Sequence, residues 1–307
     1  MPMKKTQKSI PLSTALTLTL GGLNTPVITK YQFSKTLYLL YVSRQYKEQA
    51  IKSLAEIPTT AMMARQLNGL LAQGILSESR RPSHKSLFTL LGKSDADPVE
   101  VLCSIDPFAY ISHATAMEYH GLTDRFPKMF FISSPAPKKW REFAKDRMEK
   151  DLGEHFHNYI QDGFAKLTRL RLTKIDGRPI NCYASVHSGA FKKVQGSAIR
   201  VSTIGRTFLD MLKKPDLCGG IYHVIDCYKE HASTYLRLII DEVSDHGSKI
   251  DKIRAGYILE EFCSLQDPGI EAWQEFLQRG GSMKLDHTAE YSSTFSDRWN
   301  LSINIIQ

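Results

Sequence analysis

The fold is decided by residues 57–90, which read IPTTAMMARQLNGLLAQGILSESRRPSHKSLFTL. Within this stretch, apolar side chains recur at the i, i+4, i+7 and i+8 positions, the spacing of one buried helix face. These side chains are Met63, Leu67, Leu70 and Leu71. Thr59 or Thr60 caps the first turn, and Gly74 supplies the left-handed residue that commonly ends a helix. The pattern therefore predicts an amphipathic helix in the first half of the stretch.

Two strands with a basic connection follow this helix. Residues 74–78 and 87–90 have strand composition, and the connection at residues 79–85 holds three fixed cations and a histidine. These residues are Arg80, Arg81, His84 and Lys85. Like charges at a hairpin tip repel one another unless an anion lies between them, so a DNA phosphate accounts for the grouping. The alternative is a solvated charge run.

Helix and hairpin together indicate a winged helix-turn-helix, whose helix enters the major groove of double-stranded DNA. The helix face opposite the apolar stripe carries small, polar and cationic groups: Thr60, Met62, Arg65, Gln66 and Gly69. We expect Arg65 and Gln66 to reach base edges. The hairpin cations are expected to hold phosphates or the minor groove.

The excess positive charge of the chain is confined to its first third. The net charge is +8, of which residues 1–92 carry +9, with 12 Lys and Arg against 3 acids. Residues 93–307 carry −1, with 28 Lys and Arg against 29 acids. A basic module on a neutral body is expected when one domain binds a polyanion. A membrane surface is disfavoured as that polyanion because the apolar stripes are short and broken by capping residues.

Two further helical patterns precede this stretch, one starting near residue 13 and one capped by Thr29 or Ser34. Residues 43–56 are polar and helix-tolerant, and they lengthen the turn beyond the few residues of an ordinary helix-turn-helix. Arg44 and Lys47 in this insertion are expected to reach the DNA backbone. The predicted DNA-binding residues are therefore Arg44, Lys47, Thr59, Thr60, Arg65, Gln66, Arg80, Arg81, His84 and Lys85.

Small, polar and helix-breaking residues at 91–98 indicate a domain boundary. The sequence predicts a winged helix-turn-helix domain at residues 1–92 and a mixed α/β domain with a helical C-terminal half at residues 93–307. Together they form an α+β fold. The strands expected in the second domain include residues 167–175, 180–187 and 198–203.

No motif for catalysis, a cofactor or a metal is found in the sequence. Neither of the common glycine-rich phosphate loops nor a nucleophile elbow is present, so we expect no enzyme, no cofactor and no catalytic residue. His113 and His120 share a helix face, but no third ligand is spaced to join them. The group formed by Glu154, His155 and His157 has metal-ligating side chains, but flexible surface histidines account for it. Five scattered cysteines and the absence of a long apolar run favour reduced thiols in a soluble, cytoplasmic protein.

Several stretches of the C-terminal domain occur in a fixed order. They are YISHATAMEYHGLTD at 110–124, IRVSTIGRTFLDML at 199–212, RAGYILE at 254–260, GGSMKLD at 280–286 and WNLSIN at 299–304. In these stretches the chain resembles the AbiEi family, the antitoxins and transcriptional regulators of type IV toxin–antitoxin systems. The segment at 124–198 departs from shorter members of the family.

This resemblance implies a repressor that binds inverted repeats in its own promoter. It also implies an antitoxin that counteracts a cognate nucleotidyltransferase-like toxin without forming a stable complex with it. On DNA we expect a monomer that binds cooperatively or a weak dimer. Arg206 and Asp210 lie one helical turn apart and are expected to pair. Two alternatives are a winged helix that docks an acidic protein partner, and a toxin-modifying or nucleic-acid-processing enzyme.

Overall fold

The computed structural model describes residues 9–52, 54–55, 57–80, 82–186, 190–277 and 283–305. About 49% of the residues are helical and 18% lie in strands, which confirms the α+β class expected from the sequence. The elements are described below in chain order, from an N-terminal unit through a central sheet to a helical C-terminal half.

The N-terminal unit alternates helices with short strands. Its elements are β1 (Ser9–Ile10), α1 (Leu12–Gly21), β2 (Val27–Thr29), α2 (Lys30–Ser43), β3 (Gln45–Tyr46), β4 (Gln49–Ile51), α3 (Thr60–Ala72), β5 (Leu76–Arg80) and β6 (Ser83–Leu90). Strand β6 lies between β2 and β5 and pairs antiparallel with both. The hairpin β5–β6 is therefore joined to the strand that connects α1 and α2.

Local sequence explains where these helices begin and which faces they bury. The hydroxyl of Thr29 accepts a hydrogen bond from the Gln32 N–H, and the Gln32 carboxamide accepts one from the Thr29 N–H. This capping box satisfies amides that the first turn of α2 leaves unpaired. The predicted apolar stripe of α3 packs into the core and comprises Met63, Leu67, Leu70 and Leu71.

Residues 45–51 of the insertion form a β-hairpin, so the expectation that this stretch is helix-tolerant is wrong there. Strands β3 and β4 pair antiparallel, and β4 pairs in parallel with β1. The positive φ angles of Arg44 and Lys47, 54° and 53°, bracket β3 and turn the chain there. Because β1 lies far earlier in the chain, no local pattern reveals this pairing.

The basic hairpin is tighter than the predicted loop at residues 79–85. Strand β5 continues to Arg80 and β6 begins at Ser83. His84 and Lys85 are therefore strand residues and not loop residues. Two-residue connections are the commonest loops of antiparallel hairpins. The strand pairing here extends to Arg80 and Ser83.

A mixed sheet forms the centre of the molecule. Its strands and the neighbouring helices are α4 (Pro98–Ile105), β7 (Tyr110–Ile111), α5 (His113–Tyr119), β8 (Phe130–Pro135), α6 (Pro137–Leu152), α7 (Phe156–Gln161), β9 (Lys174–Ile175), β10 (Arg178–Ser185), β11 (Phe191–Lys193) and β12 (Arg200–Ser202). The strand order is β11-β12-β7-β8-β10-β9. The predicted strand at 167–175 is wrong over most of its length, because only β9 at its end is paired, antiparallel with the start of β10.

The C-terminal half is helical, as its apolar periodicity predicts. It contains α8 (Ile204–Lys213), α9 (Ile221–His246), α10 (Lys249–Tyr257), α11 (Pro268–Ala272), β13 (Phe295–Ser296) and β14 (Leu301–Ser302), with a π-helical turn at Ile258–Phe262 after α10. Its core is separate from the core of the N-terminal unit and is filled by two tryptophans, Trp273 and Trp299, among aliphatic side chains.

Helix α6 packs against the N-terminal unit. Near its end, the carboxylate of Asp151 accepts hydrogen bonds from the Tyr31 hydroxyl (3.1 Å) and the Lys35 ammonium (2.9 Å), both on α2. Arg147, one turn earlier on α6, donates a third bond of 2.9 Å. The apolar core of the N-terminal unit therefore continues beyond residue 92, and the domain boundary expected there stays a prediction.

The charge state of Asp151 depends on these partners. Burial raises the pKa of Asp151, but the hydrogen bonds and charges of Lys35 and Arg147 outweigh burial and lower the pKa below its ordinary 3.8. A carboxyl whose folded-state pKa lies below its unfolded value stabilises the fold fully above that unfolded value. The stabilisation is lost as the pH falls through the folded-state pKa.

We therefore expect Asp151→Asn to lower the free energy of unfolding at pH 7 by about 1 to 3 kcal/mol. The difference from the wild type should disappear in acid, where the wild-type carboxyl is also neutral. Asp146→Asn, at an exposed position of the same helix, is the matched control and should change stability by less than about 0.5 kcal/mol. Urea unfolding at pH 7 and at a series of lower pH values, continued until the Asp151→Asn difference stops changing, measures both variants. Equal losses for Asp151→Asn and Asp146→Asn at pH 7 would contradict the role given to Asp151.

Candidate nucleic-acid interface

One face of α3 presents small and polar side chains to solvent. The exposed positions are Thr60, Ala61, Ala64, Arg65, Asn68 and Ala72, and Gln66 is half-buried. Because the apolar stripe fixes the rotation of the helix, Arg65 lies on the side away from the core. The predicted base-reading pair, Arg65 and Gln66, therefore lies on an accessible helix surface.

Asn68 was not among the predicted DNA-binding residues, although it shares this face with Arg65. Residues three apart on a helix are neighbours on its surface, and Asn68 is exposed. A carboxamide reads adenine through its N6 and N7 atoms, whereas a guanidinium reads guanine. The spacing of the two residues in the sequence was a sufficient signal for including Asn68.

The two threonines at the start of α3 have different roles. The Thr59 hydroxyl accepts a hydrogen bond of 3.2 Å from the Met62 N–H and thereby caps the helix. Thr60 is the first helical residue and is exposed. The helix dipole gives this end a partial positive charge, which favours an anion such as a phosphate.

The cap predicts a difference in stability between these adjacent threonines. Thr59→Ala should lower the free energy of unfolding by about 1 kcal/mol, because it leaves an amide of the first turn unpaired. Thr60→Ala removes a hydroxyl from an exposed helical position and should cost less than about 0.5 kcal/mol. Thermal unfolding followed by circular dichroism compares the two, and a larger loss for Thr60→Ala would contradict the capping assignment.

The hairpin cations occupy different environments. Lys85 is exposed on β6. His84 is half-buried, and its Nδ1 accepts a hydrogen bond of 3.1 Å from the Ser86 N–H. Arg81 lies outside the described residues. Of these residues, Lys85 is the one that the structure places as a free-standing surface cation.

Arg80 lies in a mixed-charge cleft. It is exposed at the end of β5 and lines a cleft of about 290 Å³ with three acids, Glu78, Asp95 and Asp176, and a further cation, Lys93. Acids close to a cation on the same molecule reduce the electrostatic attraction between that cation and a DNA phosphate. Arg80 is therefore expected to contribute less to phosphate binding than Lys85.

The two cations of the β3–β4 insertion are exposed but partly engaged. The Arg44 guanidinium donates a hydrogen bond of 3.2 Å to the carbonyl of Ala55, which ties the insertion to the segment before α3. The Lys47 ammonium lies 5.5 Å from the ring centroid of Tyr46. Both side chains keep their charge at the surface and remain candidates for flanking phosphate contacts.

The pair expected between Arg206 and Asp210 is confirmed, and it is a structural feature. The Arg206 Nε lies 2.8 Å from the Asp210 Oδ1, and both side chains are buried. Burial raises the pKa of Asp210 to about 6, against the lowering effect of Arg206. The guanidinium also lies 3.6 Å from Glu242 on α9. The cluster joins α8 to α9 inside the protein.

The histidines considered as metal ligands have protein partners. His113 is buried, with its Nδ1 2.8 Å from the Ser112 hydroxyl, and burial lowers its pKa to about 4. His120 donates from Nε2 to the carbonyl of Ser202, at 2.7 Å. Within the described ranges, no three His, Cys, Asp or Glu side chains converge as a metal site. Nor does any helix in these ranges have both the length and the apolar character needed to cross a bilayer.

Comparisons with known proteins give a structural likeness without a family. No protein-family model and no curated protein matches the chain. Among solved structures, the chain is similar to the RV2827C protein from Mycobacterium tuberculosis, with a TM-score of 0.47 and 10% identity, over 98% of this chain and 94% of that one. A likeness at this level carries no argument about fold or function, so the AbiEi resemblance rests on the sequence stretches alone.

Proposed function

We propose that the N-terminal unit is a winged helix-turn-helix that binds double-stranded DNA. The succession α1, β2, α2, α3, β5, β6 and the sheet order β2-β6-β5 support this assignment, with β3–β4 as an insertion in the turn. The observation that carries the proposal is the exposed face of α3, which presents Arg65 and Asn68, in the part of the chain that holds all the excess positive charge.

In this proposal α3 enters the major groove. Arg65 donates to guanine and Asn68 contacts adenine, while the methyl groups of Ala61 and Ala64 allow close approach and can contact thymine. The amino end of α3 and Lys85 bind phosphates on either side, which fixes the register of the helix but carries no sequence information. The hairpin β5–β6 serves as the wing.

The AbiEi resemblance extends the proposal from DNA binding to regulation. The protein represses its own promoter through inverted repeats, as a cooperative monomer or a weak dimer. The same chain counteracts a nucleotidyltransferase-like toxin without a stable complex, and the neutral C-terminal body is the part left free for this task. We assign no enzymatic activity and no cofactor to it.

Base-reading and phosphate-binding residues should respond differently to substitution. Arg65→Ala should cost about 1 to 3 kcal/mol of operator affinity and relax specificity at one base position. Lys85→Ala should weaken binding to all sequences alike and reduce the slope of log K against log salt by about 0.9. Arg237→Ala removes an exposed cation, which pairs with Asp241, from α9 in the neutral body and should change neither quantity.

Fluorescence anisotropy with the upstream region of the gene and a scrambled duplex, at several salt concentrations, measures these effects. Unchanged affinity and slope in both Arg65→Ala and Lys85→Ala would overturn the assignment of the interface. A wild-type protein that binds neither duplex but captures an acidic protein would identify the basic unit as a protein-docking module.

The antitoxin part of the proposal is separable from repression. When the chain is expressed from an unrelated promoter, Arg65→Ala combined with Lys85→Ala should still rescue cells that express the cognate nucleotidyltransferase-like toxin. The same variant should fail to repress a reporter driven by the native promoter. Loss of rescue in a well-folded variant would show that the N-terminal unit takes part in neutralising the toxin, contrary to the proposal.

A further inference from the structure

An open groove of about 740 Å³ lies between α6 and the irregular segment at 166–172. Its floor is the face of the central sheet formed by Ile132 of β8 and Ile180, Cys182 and Ala184 of β10. Its walls are apolar and comprise Trp140, Ala144 and Met148 on α6 and Leu167, Leu170 and Leu172 opposite. Pockets that bind small organic molecules have volumes of about 300 to 1,000 Å³ and walls of this character.

Cations line the rim of this groove on both sides. Arg141 and Lys145, one turn apart, stand on α6, and Lys166 and Arg171 stand on the opposite wall; all four residues are exposed. Lys145 makes a solvent-exposed pair of 3.6 Å with Glu149. Like charges that face one another across an apolar groove repel, and an anion between them removes the repulsion.

The one acid among the described residues that line the groove is held by neighbouring donors. The carboxylate of Asp106 accepts hydrogen bonds from the Trp140 indole N–H (3.0 Å), the Ser134 hydroxyl (2.7 Å) and the Phe108 backbone N–H (2.9 Å). The Nε of Arg169 lies 3.9 Å away. Hydrogen bonds of this kind favour the charged form of a carboxylate. Of the residues that the structure describes, five basic ones (Arg141, Lys145, Lys166, Arg169 and Arg171) line the groove against this one acid, so its lining remains cationic.

We propose that this groove binds a small anionic amphiphile, an apolar chain or ring system that carries a carboxylate or a similar anionic head. The apolar part lies on the sheet floor against Trp140, and the head lies between the cations of the two walls. The groove is bounded along both sides by α6 and by residues 166–172, which favours a small molecule over a protein helix. This site is independent of the DNA-binding and antitoxin proposals.

Dodecanoate is a suitable probe, titrated calorimetrically into the full chain below its critical micelle concentration. It should bind at one site, and dodecyltrimethylammonium, with a chain of the same length and a cationic head, should bind at least about tenfold more weakly. Arg141→Glu combined with Lys145→Glu should weaken dodecanoate binding at least about tenfold. Lys138→Glu combined with Lys150→Glu, at exposed positions of α6 outside the groove, is the matched control and should leave binding unchanged.

A second variant tests the floor of the groove. Ala184→Phe fills the floor from an exposed strand position and should abolish dodecanoate binding, whereas Ala272→Phe, at an exposed position of α11, should not. Circular dichroism verifies that each variant is folded. Equal binding of the cationic and anionic amphiphiles, or equal behaviour of rim and control variants, would overturn the proposal. So would a wild-type chain that ignores dodecanoate but binds an acidic amphipathic peptide with the same dependence on the rim.

Discussion

The ion pairs of Asp151 fix helix α6 on the N-terminal unit, and the arrangement of the molecule around α6 depends on that contact. The carboxylate reaches Lys35, 116 residues earlier in the chain, and is held by Arg147 on its own helix. Edge-to-face contacts of Tyr38 with Tyr159 and Phe164 close the core beside it. With one side of α6 fixed in this way, its other side and the segment at 166–172 bound the groove over the central sheet.

Local features of the fold could be predicted and remote pairings could not. The stripe of α3 and the cap at Thr29 follow from spacing within one helix, which the sequence displays directly. The β3–β4 hairpin needs β1 as its partner, and α6 needs α2, so neither contact has a local signal. The segment at 167–175 has the composition of a strand, yet most of it runs beside α6 instead of joining the sheet, because strand formation requires an available edge as well as suitable residues.

The same division applies to the candidate interface. The exposure of Arg65 follows from the phase of the apolar stripe, and that phase also places Asn68, which a search for charge alone overlooks. The surroundings of Arg80 could not be predicted, because Asp95 and Asp176 reach its cleft from the linker and from the turn after β9. A count of cations in a hairpin therefore overstates the field available to DNA when acids from remote residues share the surface.

Two of the stretches that carry the AbiEi resemblance, 199–212 and 254–260, contain glycines at close contacts of the C-terminal helices. A Cβ on Gly205 would overlap the carbonyl of Leu238 on α9, and one on Gly256 would overlap the ring of Trp299, whose indole donates to Glu260 at 2.8 Å. Packing alone is a sufficient reason for these residues, so their presence indicates a closely packed core and does not indicate a functional site. No packing requirement accounts for exposed cations on both walls of an apolar groove or for an exposed helix face that carries Arg65 and Asn68. Cations on the two walls of the groove repel one another, and an anionic ligand between them removes that repulsion, which is the simplest physical reason for the arrangement.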